Sequence, residues 1–94
     1  MSKVTLTHRP TRDPRDEQPA RSEFDSVPAA LAHDFELSRG RGFHVGVEIG
    51  KDGQSIYDEN ALSKAVSRIS ALVNDGVKVT DAAEQIAKED GYLD

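Results

Sequence analysis

The chain contains no cysteine and no tryptophan, and only five of its 94 residues are aromatic. Without cysteine it forms no disulfide, no thiolate-ligated zinc site and no cysteine nucleophile. No apolar run approaches the about 20 residues that span a membrane, and the N-terminus lacks the hydrophobic segment of a signal peptide. These absences predict a soluble protein of the cytoplasm.

Charge is distributed unevenly along the chain. Residues 1–43 hold seven basic and seven acidic side chains, whereas residues 44–94 hold five basic and ten acidic ones, so the second half carries the whole net charge of −5. An acidic domain repels nucleic-acid phosphates and attracts basic surfaces. The composition therefore favours a protein partner over nucleic acid.

Residues 1–25 are predicted to form a disordered polar arm. They contain Pro10, Pro14 and Pro19, many charges of both signs and few apolar side chains, too few to offset the entropy of ordering. Val4 and Leu6 do alternate with polar residues, so a short edge strand within residues 2–7 is the alternative.

Three arginines recur at three-residue steps in this arm, at Arg9, Arg12 and Arg15. In a polyproline II segment they would align on one side and contact phosphate or an acidic partner. Neighbouring acidic residues neutralise the same stretch, so a solvated tail is the preferred interpretation.

A first helix is predicted at about residues 27–38. Ser26 is its N-cap, Pro28 lies in the first turn where its missing N–H is harmless, and Gly40 ends the run. Apolar side chains at Val27, Leu31 and Phe35 define one face. The following Gly40-Arg41-Gly42 segment is interpreted as a flexible hinge.

A β-hairpin is predicted at about residues 43–57. Phe43 to Ile49 alternates, with His44, Gly46 and Glu48 on the outer face, as in a half-buried strand. Asp52-Gly53 is typical of a two-residue turn with positive φ at both positions. Closing the hairpin there pairs Lys51 with Gln54 and Ile49 with Ile56.

Two more helices complete the predicted domain, at about residues 58–75 and 80–90. The first has Asp58 as N-cap and Gly76 as its stop, and the second has Thr80 as N-cap and Gly91 as its stop. The apolar face of the first helix is expected to pack against the hairpin; this face contains Leu62, Ala65, Val66, Ile69, Leu72 and Val73. Residues 26–94 are thus predicted to be a single α+β domain of two layers, a β-hairpin packed on two to three helices.

No cluster for catalysis, metal binding or a cofactor is recognisable in the pattern. His44 and Glu48 share a strand face, but four strand residues separate them by about 13 Å, too far for an acid–base pair or a shared metal. The prediction is therefore a non-enzymatic protein without a cofactor.

Val79 to Ala87 resembles the first helix of a helix-turn-helix, with Gly91 as the turn. The helix that would enter the major groove is missing, because only Tyr92, Leu93 and Asp94 follow. A DNA-associated transcriptional regulator, using the basic arm and this partial motif, is accordingly the alternative function.

The favoured expectation is a small acidic interaction module that binds another protein as an inhibitor or regulatory partner. Strand addition at an exposed edge of the hairpin is the expected mode, either to the partner or to a second copy in a homodimer. The candidate partner-binding residues are Phe43, His44, Gly46, Glu48, Arg39 and Arg41.

Overall fold

A four-stranded antiparallel sheet and three helices make up the fold. The computed structural model of the chain describes residues 3–9, 20–42 and 44–92. The elements in chain order are β1 (Val4–His8), β2 (Ala20–Phe24), α1 (Val27–Arg41), β3 (Gly46–Lys51), β4 (Gln54–Tyr57), α2 (Glu59–Asn74) and α3 (Val79–Glu89). The strand order across the sheet is β2-β1-β3-β4, which confirms the predicted α+β class.

The N-terminal strands correct the prediction that residues 1–25 are a disordered arm. β1 pairs with β2 on one side and with β3 on the other, so it is a central strand. Val4 and Leu6 are fully buried in the core, which is why their alternation orders the strand. The rest of the predicted arm, residues 1–2 and 10–19, lies outside the described residues.

The turn between β3 and β4 is confirmed. Asp52 and Gly53 both have positive φ, 53° and 86°, and Lys51 pairs with Gln54. The predicted pairing of Ile49 with Ile56 is wrong, because a register shift after Ile49 sets Tyr57 opposite it instead. Tyr57 consequently takes the inner position and is 3% exposed.

Helix α1 begins as predicted and ends later. Ser26 accepts a hydrogen bond from the Ala29 N–H, and the helix continues to Arg41 before Gly42, at φ 76°, caps it in the left-handed region. Arg39 and Arg41 therefore lie in the last helical turn and not in a flexible hinge. The extension matters because it places Arg39 within the helix, beside residues of α2.

Helix α2 confirms its predicted bounds, with Asp58 Oδ1 accepting from the Ala61 N–H at 2.8 Å. Helix α3 starts one residue before the predicted cap, so Thr80 is inside the helix, and the N-cap position belongs to Lys78. The buried face of α3 consists of three alanines and one isoleucine, Ala82, Ala83, Ile86 and Ala87.

The core lies between one face of the sheet and the helices. Helices α1 and α2 both contact β3, and α3 packs against these two helices and not against the strands. Ile49, Leu62, Val66 and Ile69 all belong to the core cluster, as the predicted strand–helix contact requires. Among the described residues, no helix is long and apolar enough to span a membrane.

Candidate functional site

A groove of about 650 Å³ lies between the last two turns of α1 and one side of α2. We call it the α1/α2 groove. It is lined by Phe35, Ser38, Arg39, Gly42, His44, Ser63, Val66, Ser67, Ser70, Val73 and Asn74. Its size is within the range of about 300–1,000 Å³ that is usual for ligand pockets.

The walls of the groove combine apolar and hydroxyl-bearing side chains. Phe35 and Val66 are buried and Val73 is half-buried, so together they give the groove an apolar floor. The polar residues of α2 in the groove recur at three- and four-residue steps, which places them along one side of the helix; they are Ser63, Ser67, Ser70 and Asn74. An apolar floor with a hydroxyl-rich wall suits a peptide or another amphipathic ligand.

One wall of the groove carries an aspartate–histidine pair that the sequence pattern did not reveal. Asp34 Oδ2 lies 3.0 Å from His44 Nε2, and the Asp34 side chain is fully buried, whereas that of His44 is 22% exposed. Ser38 Oγ donates to Asp34 Oδ1 at 3.4 Å. A buried carboxylate requires such partners, because an unpaired charge inside a protein is strongly destabilising.

The backbone around His44 is held from two sides. The Val45 N–H donates to Ser38 Oγ at 3.1 Å, and the Val45 carbonyl accepts from the Arg9 N–H at 2.8 Å. These bonds connect residue 45 to α1 and to the end of β1. The position of the His44 ring in the groove is therefore fixed both through its side chain and through its neighbour's backbone.

Gly46 has a different role from the one predicted. It was expected on the outer face, where a partner backbone could approach, but it is buried beside Asp34. A Cβ atom at this position would lie 2.6 Å from Asp34 Cγ, closer than carbon atoms pack. The glycine thus provides the space that the buried carboxylate occupies.

The other predicted site residues do not form one surface. β3 is paired on both sides, so the expected free edge along it does not exist. Glu48 lies on the opposite face of the sheet beside Thr5, Thr7 and Arg21, away from His44. Arg39 lines the groove, Arg41 donates to the Arg9 carbonyl at 3.2 Å, and Phe43 lies outside the described residues.

A second polar cluster ties the end of α3 to β4 and α2. The Tyr57 hydroxyl donates to Asp90 Oδ2 at 2.6 Å, and Arg68 bridges Asp90 and Glu89. Burial raises the pKa of Tyr57 well above its usual value, and the hydrogen bond to Asp90 raises it further. Every member of this cluster has a partner within the fold, which indicates a structural role.

A third cluster lies where β1 meets α1. The rings of His8 and His33 are 6.4 Å apart, and His8 Nδ1 is buried with no hydrogen-bond partner among the residues that the structure describes. Burial lowers the pKa of His8, and the nearby His33 and Arg41 lower it further. Among the described residues, no group of three or more His, Asp or Glu side chains is arranged to hold a metal ion.

Comparisons with protein-family models, with curated proteins and with solved structures give no match for this chain.

Proposed function

We propose that this protein is a small, acidic, non-enzymatic interaction module of the cytoplasm that acts by binding another protein, as an inhibitor or regulatory partner. The observation that carries the proposal is the α1/α2 groove. It replaces the strand edge of β3 as the principal binding surface, because β3 has a neighbouring strand on each side.

The groove has apolar residues that would stabilise a bound segment of a partner protein and polar groups that would orient it. One leucine-sized side chain moved from water onto Phe35, Val66 and Val73 contributes about 1.5–3 kcal/mol when fully buried. The hydroxyls of α2, together with Asn74, present donors and acceptors beside that floor. This combination matches the mode in which an amphipathic helix places its apolar side in a groove.

The Asp34–His44 pair supports a binding role over a catalytic one. Among the described residues, no hydroxyl group donates a hydrogen bond to His44, whereas nucleophilic use of such a pair requires one. Asp34 and Ser38 instead hold the ring against the wall of the groove. We therefore assign His44 to the recognition surface.

The alternative of a DNA-associated regulator has weaker support. The exposed face of α3 carries Asp81, Glu84 and Glu89, which oppose approach to phosphate. Arg39 and Arg41, the basic pair beside the domain, lie in the last turn of α1. Salt-dependent retention of the full chain on duplex DNA would favour this alternative.

The proposal also includes a homodimer formed through a strand edge, with β4 in place of β3 as the strand that pairs. β4 is at the end of the sheet, and its four residues, Gln54–Tyr57, include neither lysine nor proline, the residues that often protect edges. β2, at the other end, carries Arg21 and Glu23. A concentration-dependent mass in analytical ultracentrifugation that Ser55→Pro abolishes would identify β4 as the interface.

The test of the proposed function is a pair of matched substitutions on α2. Ser67→Arg places a long side chain in the groove, whereas Ala71→Arg places it on the same helix at an exposed position outside the groove. Both variants change the net charge equally and should remain folded. One discrete protein retained from host lysate by the wild type and by Ala71→Arg, and lost with Ser67→Arg, is the expected result. Equal retention by both variants would contradict the proposal.

A further inference from the structure

We propose that β2 is a proton-sensitive strand, which separates from β1 when His8 takes up a proton while the other three strands and the helices stay folded. The proposal does not depend on the α1/α2 groove or on the proposed function. Its basis is the exposure of β2, the contacts that hold β2 in place, and the surroundings of the His8 ring.

β2 is the more weakly held of the two edge strands. It pairs with β1 alone, and each of its residues, Ala20–Phe24, is at least partly exposed. An ion pair joins Glu23 to Lys3, but the two side chains are 63% and 67% exposed, and such pairs contribute little. β4, at the other edge, places the buried Tyr57 in the core. Segments with few buried side chains open most readily, so β2 should open before β4.

Two further side-chain contacts hold β2, and each involves a histidine. Ser22 Oγ lies 3.4 Å from His8 Nε2, which connects β2 to β1. The Phe24 ring packs against the core and lies 5.1 Å from the His33 ring on α1. Histidine is the side chain that changes charge between about pH 5 and 8, so a change of pH acts at the points where β2 is attached.

The folded arrangement around His8 disfavours the protonated ring. That ring carries a hydrogen on both nitrogens, and Nδ1 is buried with no hydrogen-bond partner among the described residues. A hydrogen there is a buried donor without an acceptor, which is destabilising. The neutral ring carries a hydrogen on one nitrogen only, so Nδ1 need not hold one.

The charges near His8 act mainly in the same direction. Among the described residues, the titratable groups that influence it lie on α1 and are His33, Arg41 and Asp34. Burial lowers the pKa of His8, the first two of these groups lower it further, and the third raises it. The residues paired with His8 on β2 and β3, Ala20 and Gly46, carry no charge.

Separation of β2 removes the obstacle to protonation. Asp34 is the one neighbour that favours the proton, but its carboxylate is already bonded to His44 and Ser38. When β2 leaves, Ser22 moves away from the His8 ring and water reaches that side. The open state therefore binds the proton more tightly, and its population rises as the pH falls through 6.5. β1 stays paired with β3, and its other side becomes a free strand edge.

The experiment measures backbone amide hydrogen exchange of the full chain by NMR at about pH 7.5 and about pH 5.5, on either side of the ordinary histidine pKa of about 6.5. Rates are divided by those of unstructured peptides at the same pH, so that the remaining protection reports opening. We expect the β2 amides to be less protected than Ile69, a core residue of α2, at both pH values. Their protection should fall severalfold toward the lower pH, with a limit of about tenfold, because one proton is taken up on opening.

A single variant assigns the pH dependence to His8. His8→Gln keeps an N–H that can reach Ser22 but does not titrate in this range, so the protection of β2 should become equal at the two pH values. If this variant does not fold, the comparison of β2 with Ile69 in the wild type still decides, since it needs no substitution.

Three results would overturn the proposal. Equal protection of β2 and Ile69 at both pH values would show that β2 opens only when the whole domain unfolds. Protection of β2 that is the same at both pH values in the wild type would show that no proton is taken up on opening. A fall of the same size in folded His8→Gln would assign the proton to another group.

Discussion

Replacing Gly46 with alanine should destabilise the domain far more than the same replacement at Gly50 in the same strand. At Gly46 the new Cβ would lie 2.6 Å from Asp34 Cγ and Oδ1, so the carboxylate must move. At Gly50 the nearest atom to the new Cβ is the Gln54 carbonyl oxygen at 3.4 Å, an ordinary contact. The two substitutions therefore differ mainly in whether they displace Asp34.

The magnitude follows from two contributions at Gly46. Overpacking of a filled interior costs about 1–3 kcal/mol, and separating Asp34 from His44 leaves a buried charge without its partner, which costs about 3–5 kcal/mol when complete. Partial relaxation gives an expected loss of about 3 kcal/mol, a large fraction of the about 4–12 kcal/mol typical of a domain this size. Gly50→Ala should change the free energy of unfolding by less than about 1 kcal/mol.

The loss of stability in each of the two variants is measured by urea denaturation followed by far-UV circular dichroism, since the chain has no tryptophan for a fluorescence assay. The thermal midpoint of Gly46→Ala should fall by about 12–24 °C, since 1 kcal/mol corresponds to about 4–8 °C in a small domain. Adding Asp34→Ala to Gly46→Ala removes the clashing atoms, so the double variant should be no less stable than Asp34→Ala alone. Equal effects at Gly46 and Gly50, or additive losses in the double variant, would refute this account of the buried carboxylate.

Three further predictions concern the core and the other polar clusters. Ile69→Asp, at a fully buried position, should abolish the cooperative thermal transition because it buries an unpaired charge, whereas Ala71→Asp on the exposed side should keep it. Because the pKa of His8 is lowered in the folded protein, the unfolded chain binds a proton at His8 more readily as the pH falls through 6.5, and the free energy of unfolding should decrease toward acid pH. His8→Leu should make this decrease smaller in urea denaturation measured over a range of pH. The same dependence on pH in the variant and the wild type would contradict the lowered pKa of His8. Tyr57→Phe should cost about 1–3 kcal/mol in chemical denaturation, because the hydrogen bond to Asp90 is lost, and no change would show that this bond does not contribute.

Local signals predicted the helices and the hairpin turn well. Asp58 and Ser26 are caps whose side-chain oxygens satisfy the first free amides, and this chemistry depends only on nearby residues. Asp52-Gly53 specified its turn for the same reason. The register shift after Ile49 was not predictable, because no residue near Ile49 in sequence signals it; Tyr57, which the shift places opposite Ile49, contacts Asp90, which is 33 residues away.

The two N-terminal strands were not predicted because the composition of residues 1–25 was given more weight than the alternation of apolar and polar residues within it. The prolines and charges within residues 1–25 indicated disorder, although Val4 and Leu6 already alternated as in a strand. β1 is ordered by strands on both sides, and its residue pairs with one of them, β3, are separated by 38 residues (His8 and Gly46) to 47 residues (Val4 and Lys51) of sequence. Such pairing is decided by tertiary contacts that local propensity does not contain.

The candidate site was only partly visible in the sequence. Asp34 lies among the apolar residues of α1, between Leu31 and Phe35 on the buried face, and a charged residue in that position was a signal of a buried polar contact. Its partner His44 is ten residues away, beyond any local spacing rule. The serines of α2 lie outside its predicted apolar face, but the groove also needs α1 as its opposite wall, and the packing of α1 beside α2 is a tertiary contact that local spacing does not specify.

The most direct test of the central claim is site-specific photo-crosslinking of the full chain in its host. A benzophenone side chain replaces Ser67 in the groove, Ser55 on the edge strand β4, or Gln85 on the exposed side of α3. The account predicts one discrete crosslinked protein from position 67 and none from position 85, with any band from position 55 at twice the mass of the chain itself. A heterologous partner captured at position 55 or 85 but not at 67 would contradict the assignment of the groove as the binding site.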